Sequence, residues 1–362
     1  MDERKRYNPH KNVLTAAEER IAWSFDEFEK VYVSFSAGKD STVMLHLVMA
    51  EAIRRGRRVG VLIIDLEAQY KATVENIQEC VDLYREHIDL HWVCLPINLR
   101  NAVTTFEPQW TCWDPDQESK WVRNLPLDAV TRYDWFVDRM EFEEFMVEWG
   151  VWYADGKRTA GMIGIRSDES LHRLGTIVRW EQKPMWKGRR FTTGQGHNLY
   201  NVYPIYDWRT EDIWRFHARF PKLPHNKIYD LMHRAGVPLS KQRLCQPYGD
   251  DQRQGLWLFH LLEPETWTLI VSRVNGANFG ALYVREQGNV AGYGKVTLPA
   301  GHTWKSYTNL LLASLPKQQR EHYIRRFRSF IKGWEGRGYA EIPDFVPEVL
   351  EAKQWAPSWR RM

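Results

Sequence analysis

The apolar positions Leu14, Ile21, Phe25 and Phe28 recur at helical spacing. The run after them, Val31-Tyr32-Val33-Ser34-Phe35, is β-branched or aromatic with little polar alternation. The first pattern predicts a helix over about 14–30, and the second a buried strand. A turn of small residues follows. Val43, Met44, Leu47 and Val48 then predict a helix from Ser41 to Arg55-Gly56, where glycine suits a left-handed C-cap. Val59–Ile64 predicts a second strand closed by Asp65, about 70–86 a helix, and Leu90–Leu95 a third strand. Helices alternating with near-continuous apolar strands imply a parallel sheet covered on both faces.

Residues 104–157 break that rhythm with Trp110, Trp113, Trp121, Trp135, Trp149 and Trp152 among prolines and acids, and predict an insertion lying over the sheet. Gly161–Ile165 predicts a fourth strand, Val202–Ile205 a short fifth, and Thr210 the cap of a helix running to Phe220. Glu211 and Asp212 fall in its first turn, where the helix dipole favours acids. Beyond about 240 the texture changes to helices at about 251–263 and 264–274, a glycine-rich stretch through Gly294 and a basic helix at about 315–332. The expected class is α/β, a doubly wound, mostly parallel sheet over residues 1–245 with a mainly helical C-terminal extension over 246–362.

Composition narrows the function classes. No apolar run approaches the roughly 18 residues a membrane helix needs, and the charged start of the chain does not read as a signal peptide. A cytoplasmic protein without membrane contact is expected. Fifty basic residues against 46 acidic give a net charge of +4, too small to require nucleic acid. Clusters such as Arg54, Arg55, Arg57 and Arg58 read first as solvated helix faces. Cys80, Cys94, Cys112 and Cys245 include no CxxC pair, so no iron–sulfur cluster is expected.

The chemistry concentrates in the turn after the first strand, Ser36-Ala37-Gly38-Lys39-Asp40-Ser41-Thr42. Small residues let the backbone wrap an anion closely, and free amides at a helix start point toward it. Lys39 adds a point charge; Ser36 and Ser41 add hydroxyl donors. A Walker A loop would need glycine where Val33 stands, and no GxGxxG occurs.

This string resembles the PP-loop signature Ser-Gly-Gly-x-Asp-Ser of ATP pyrophosphatases and sulfonucleotide reductases, with Ala37 in place of the first glycine. Gly164-Ile165-Arg166-Ser167-Asp168-Glu169-Ser170 resembles the Gly-x-Arg-x-x-Glu/Gln-Ser segment of phosphoadenosine phosphosulfate (PAPS) reductases. Tyr203-Pro204-Ile205-Tyr206-Asp207-Trp208 with Asp212-Ile213-Trp214 resembles their Pro-Ile-x-Asp-Trp-x-x-x-Asp-Val-Trp segment. Asp65-Leu66-Glu67-Ala68-Gln69-Tyr70, the tryptophan-rich insertion and the stretch Leu244 to Arg253 look like a branch associated with ParB-like or sulfiredoxin-like partner proteins.

The resemblance implies an adenine nucleotide alpha hydrolase-like fold and an enzyme using ATP or PAPS in sulfur or adenylate transfer. The nucleotide would touch Ser36, Ala37, Gly38, Lys39, Asp40, Ser41, Thr42, Asp65, Arg166, Glu169, Ser170 and Arg173. Lys39, Arg166 and Cys245 are the candidate catalytic residues, and Asp40 and Asp65 the candidates for Mg²⁺. Arg166 ends a strand where open α/β sheets bind ligands, though pairing with Asp168 or Glu169 is the simpler role. Asp65 is equally a helix cap. Cys245 lies in a polar loop between Arg243 and Arg253, whose charges favour a thiolate, whereas a buried inert thiol is the commoner fate of cysteine. The chain departs from PAPS reductases in having no cysteine after Cys245, so ordinary sulfate assimilation is not expected. The alternatives are a non-catalytic nucleotide-dependent regulator working with a ParB-like partner, or a nucleic-acid-modifying sulfur-transfer enzyme. A homo-oligomer stays open.

Overall fold

The computed structural model describes residues 11–315 apart from 104–106, 108, 179–183, 250–255 and 278–297, with a few positions between 317 and 327. The glycine-rich stretch through Gly294, most of the expected basic helix over 315–332, and Arg253 lie outside the described residues.

Helix α1 (Val13–Glu27) leads to strand β1 (Lys30–Ser34), and helix α2 (Lys39–Arg55) follows the loop. Gly56 ends α2 at φ 63°, its N–H returning to Ala52 and Ile53 carbonyls, as the glycine C-cap predicts. Strand β2 (Val59–Ile64), helix α3 (Lys71–Tyr84) and strand β3 (Ile88–Val93) complete the first half. The insertion holds a hairpin, β4 (Asn98–Arg100) with β5 (Gln109–Thr111), then β6 (Ala129–Val130) and helix α4 (Phe142–Ala154). Strand β7 (Thr159–Ile163), helix α5 (Leu171–Val178), strands β8 (Thr192–Gly196) and β9 (Leu199–Val202), and helices α6 (Thr210–Arg219) and α7 (Ile228–Arg234) follow. The extension contributes α8 (Leu256–Leu262), α9 (Pro264–Arg273) and a helix over Trp304–Ser314.

The seven-stranded sheet runs β6-β3-β2-β1-β7-β9-β8, parallel throughout except for β8, which pairs antiparallel with β9. From β1 the chain goes to β2 and β3 on one side and to β7 on the other. The order therefore reverses at β1, and the crevice between the C-terminal ends of β1 and β7 is where an open α/β sheet takes a ligand. Val31, Val33, Val59, Val61 and Ile63 are buried, as their unbroken apolar runs require.

The insertion is more than a cover. Its β6 extends the sheet beside β3, and α4 stacks Trp149 and Tyr153 edge-on against Tyr32 of β1. β8 has no counterpart in the sequence expectations, since Thr-Thr-Gly-Gln-Gly carries neither apolar run nor alternation. It exists as the edge partner of β9. Thr210 is the first residue of α6 rather than its cap; the Asp212 carboxylate accepts the Arg209 N–H at 2.9 Å and closes that end.

The extension docks on the C-terminal edge of the sheet. Tyr70, after β2, stacks on Phe259 with centroids 3.7 Å apart, and the Tyr248 carbonyl accepts the Ala102 N–H at 2.7 Å. The Glu263 carboxylate accepts the Lys71 and Ala72 amides at 2.8 and 3.2 Å, supplying the start of α3 with the acceptor its own residues lack.

Candidate functional site

The loop leaves β1 and turns through Ala37 at φ 53°, a left-handed conformation that costs a residue with a Cβ about 1–2 kcal/mol. Gly38 then caps α2, and a Cβ there would meet Ser36 Oγ and Tyr229 Oη at 3.5 Å. Ser36 and Ser41 bring their hydroxyls within 3.1 Å of each other, so both face one side of the turn. Gly164, just past β7, lies against the first turn of α2. A Cβ on it would come within 3.1 Å of the Ser41 nitrogen, and only glycine allows this approach.

At the start of α2 three charges meet. Lys39 Nζ lies 3.1 Å from Asp40 Oδ2, and Arg166 Nε lies 2.5 Å from Asp40 Oδ1. All three side chains are largely buried. Arg166 also reaches the Trp208 carbonyl at 3.4 Å and Thr210 Oγ1 at 3.3 Å, so the Tyr206-Asp207-Trp208 corner and α6 hold it from behind. The sequence expectation of direct anion contact by Arg166 meets a guanidinium already paired to Asp40.

Residues from 217 to 245 close over this loop. Tyr229 Oη accepts the Lys39 N–H at 3.1 Å, its ring lies 5.6 Å from the Lys39 ammonium, and Lys39 Nζ donates to the Gln242 carbonyl at 3.4 Å. Burial, then the nearby carboxylates of Asp40 and Glu169, hold the Tyr229 phenol above its ordinary range, so it stays protonated. Burial pushes His217, beside the backbone of Lys39, down to about 4. Asn226 donates to the Ala37 carbonyl at 2.9 Å. The sequence did not single out Tyr229, Asn226, Gln242 or His217; the one signal was polar His225-Asn226 set just before an apolar helix.

The other expected site residues divide. Glu169 pairs with Arg173 at 2.8 Å, and its carbonyl accepts Arg243 at 2.8 Å. Ser170 Oγ accepts the Arg173 N–H and caps α5. Thr42 points away from the loop, its Oγ1 accepting from Asn76 in the core. Asp65 is fully buried: Trp92 Nε1 reaches one oxygen at 2.7 Å, while the Glu67 N–H, at 2.9 Å, and the Arg123 guanidinium take the other. Both oxygens are thus occupied by protein donors, and Asp65 does not fit the magnesium role that its place after β2 suggested. Among the described residues no group of three His, Cys, Asp or Glu side chains has metal-ligand geometry.

Three cysteines are buried and Cys245 is exposed. Burial pushes the Cys80 thiol up to about 12 and those of Cys94 and Cys112 higher still, which makes them poor nucleophiles. Among the described residues no helix is long and apolar enough to cross a membrane.

Two family models match the chain. One, described as the phosphoadenosine phosphosulfate reductase domain, covers residues 30–235; the other, described as a domain of unknown function (DUF3440), covers 236–358. The uncharacterised protein YbdN of Escherichia coli (strain K12) is 40% identical over 357 residues, spanning 97% of this chain and 86% of its own. Among solved structures, the phosphate complex of the PAPS reductase from Candida auris is similar at 12% identity. It covers 60% of this chain and 84% of that one, with a TM-score of 0.31.

Proposed function

Because the chain belongs to the phosphoadenosine phosphosulfate reductase family, we propose that it is an adenine-nucleotide enzyme that acts on ATP or PAPS in sulfur or adenylate transfer. The observation that carries this reading is the cluster Lys39–Asp40–Arg166 at the start of α2, beside the point where the strand order reverses. Two buried cations share one carboxylate there, leaving one positive charge at the start of a helix, which suits a phosphate or sulfate group. In this reading Ser36 and Ser41 donate to that group and Lys39 neutralises charge that develops as the bond breaks. Arg166 acts through Asp40, and Asp65 serves architecture.

PAPS is favoured over ATP by the exposure of Cys245 in the segment that lies over Lys39. Its thiolate would attack the sulfur, the bond from sulfur to the phosphate oxygen would break, and adenosine 3′,5′-bisphosphate would leave with the electron pair, placing a sulfonate on Cys245. Residues 1–245 are the nucleotide-binding unit and 246–362 an extension, of which α8 and the start of α9 pack beside Tyr70 and α3. A ParB-like or sulfiredoxin-like protein is the proposed macromolecular partner. Mass spectrometry after incubation with PAPS or ATP tests the reading. A sulfonate adduct on Cys245 supports the PAPS route, AMP with pyrophosphate the ATP route, and intact nucleotide in every arm contradicts both.

A further inference from the structure

Residue 37 stands where the loops this one resembles carry glycine, yet it is alanine, left-handed at φ 53° and fully buried. A side chain in that conformation returns to negative φ unless something holds it. Rotation at Ala37 would carry the peptide between residues 37 and 38 with it, turning the Ala37 carbonyl and the Gly38 N–H. The direction of the amides at the mouth of α2 therefore depends on a residue with a built-in tendency to relax.

One side chain opposes that relaxation. Asn226 Nδ2 donates to the Ala37 carbonyl at 2.9 Å and to Thr73 Oγ1 at 3.0 Å, while its Oδ1 accepts the Ile228 N–H at 3.1 Å. Asn226 is buried, and both of its donor hydrogens and its acceptor are engaged. A single neutral amide thus ties the loop after β1 to the first turn of α3 and to the start of α7. Three residues on, Tyr229 accepts the Lys39 N–H, so one segment fixes the loop on both sides of Gly38.

We propose that Asn226 is a positioning residue that holds Ala37 in the left-handed conformation and so keeps the loop amides aimed at the anion. It acts on the loop and does not touch the nucleotide. The inference rests on the reading of residues 36–42 as the phosphate site and adds to it the device that shapes them.

Asn226→Ser separates this role from simple helix capping. A serine hydroxyl still accepts the Ile228 N–H but is too short to reach the Ala37 carbonyl. Calorimetry with ATP and PAPS is expected to show binding about tenfold weaker in this variant, the loss of one buried hydrogen bond. Ala37→Gly alone is the parent with which the double variant is compared. The double variant Ala37→Gly/Asn226→Ser should recover most of the loss, because glycine takes positive φ without a Cβ penalty. Asn226→Asp, which keeps shape and acceptor but lacks both donors, gives a second test should the serine variant fold poorly. Hydrogen exchange of the segment around Gly38 gives a readout that needs no nucleotide. It should quicken in Asn226→Ser and slow again in the double variant. Unchanged exchange and affinity in Asn226→Ser, or a double variant no tighter than the single one, overturns the proposal. Quickened exchange in a protein whose wild type binds neither nucleotide overturns the nucleotide reading alone.

Discussion

Arg273 and Glu67, 206 positions apart in the chain, form a solvent-excluded ion pair with Nε 2.7 Å from Oε1. Glu67 also accepts the Trp113 amide at 2.7 Å and the Val122 amide at 3.1 Å, and Arg273 donates to the Thr111 carbonyl at 2.7 Å. One carboxylate after β2 therefore joins the sheet, the insertion and the extension. Arg273→Ala would leave that carboxylate buried and unpaired, a loss of about 3–5 kcal/mol. The double variant Glu67→Gln/Arg273→Met, with no buried charge, should recover part of it. Urea denaturation measures both; a single variant within about 1 kcal/mol of wild type would contradict the role given to the pair.

Iodoacetamide should label Cys245 in the native protein and reach Cys80, Cys94 and Cys112 only after denaturation. The first is exposed, and burial holds the other three protonated and shielded. Bound ATP or PAPS should slow labelling of Cys245 if its loop covers the site. Peptide mapping that finds Cys245 unmodified until the chain unfolds would remove the sulfur-attack route.

Stability should fall in mild acid. His46 donates Nε2–H to the Pro224 carbonyl at 2.8 Å, so its Nδ1 accepts from Tyr84, also at 2.8 Å, and the ring is neutral. Burial pushes His46 and His217 down to about 4. The unfolded chain takes up these protons near pH 6.5 and the folded one does not, so their contribution is complete above about 6.5 and is lost as pH falls toward 4. Between pH 7 and pH 5 each should lose about 2 kcal/mol. Equal urea midpoints at the two pH values would contradict this.

The sheet's first half was legible because its strands are buried on both faces and thus apolar without interruption, and because Gly56 marks the end of α2 directly. The turn between β1 and α2 was legible from its run of small residues with a lysine between strand and helix. What was not legible depends on a pairing partner rather than on the local pattern. β8 is a strand only because β9 lies beside it. Nothing near Arg166 indicated that Asp40, 126 positions earlier, would take its guanidinium. Ala37 read as a minor change from glycine, and its left-handed backbone and its hold by Asn226 emerge only in three dimensions.

The loop from Ser36 to Thr42 is proposed to bind the phosphate or sulfate end of an adenine nucleotide. Titration calorimetry of the wild type, Lys39→Ala and Ser41→Ala with ATP and with PAPS tests it most directly, alongside far-UV circular dichroism to show that each variant is folded. A charged hydrogen bond contributes about 1.5–3 kcal/mol, so Lys39→Ala should bind about 10- to 100-fold more weakly than wild type, and Ser41→Ala less severely. Folded variants that bind both nucleotides as wild type does would contradict the claim.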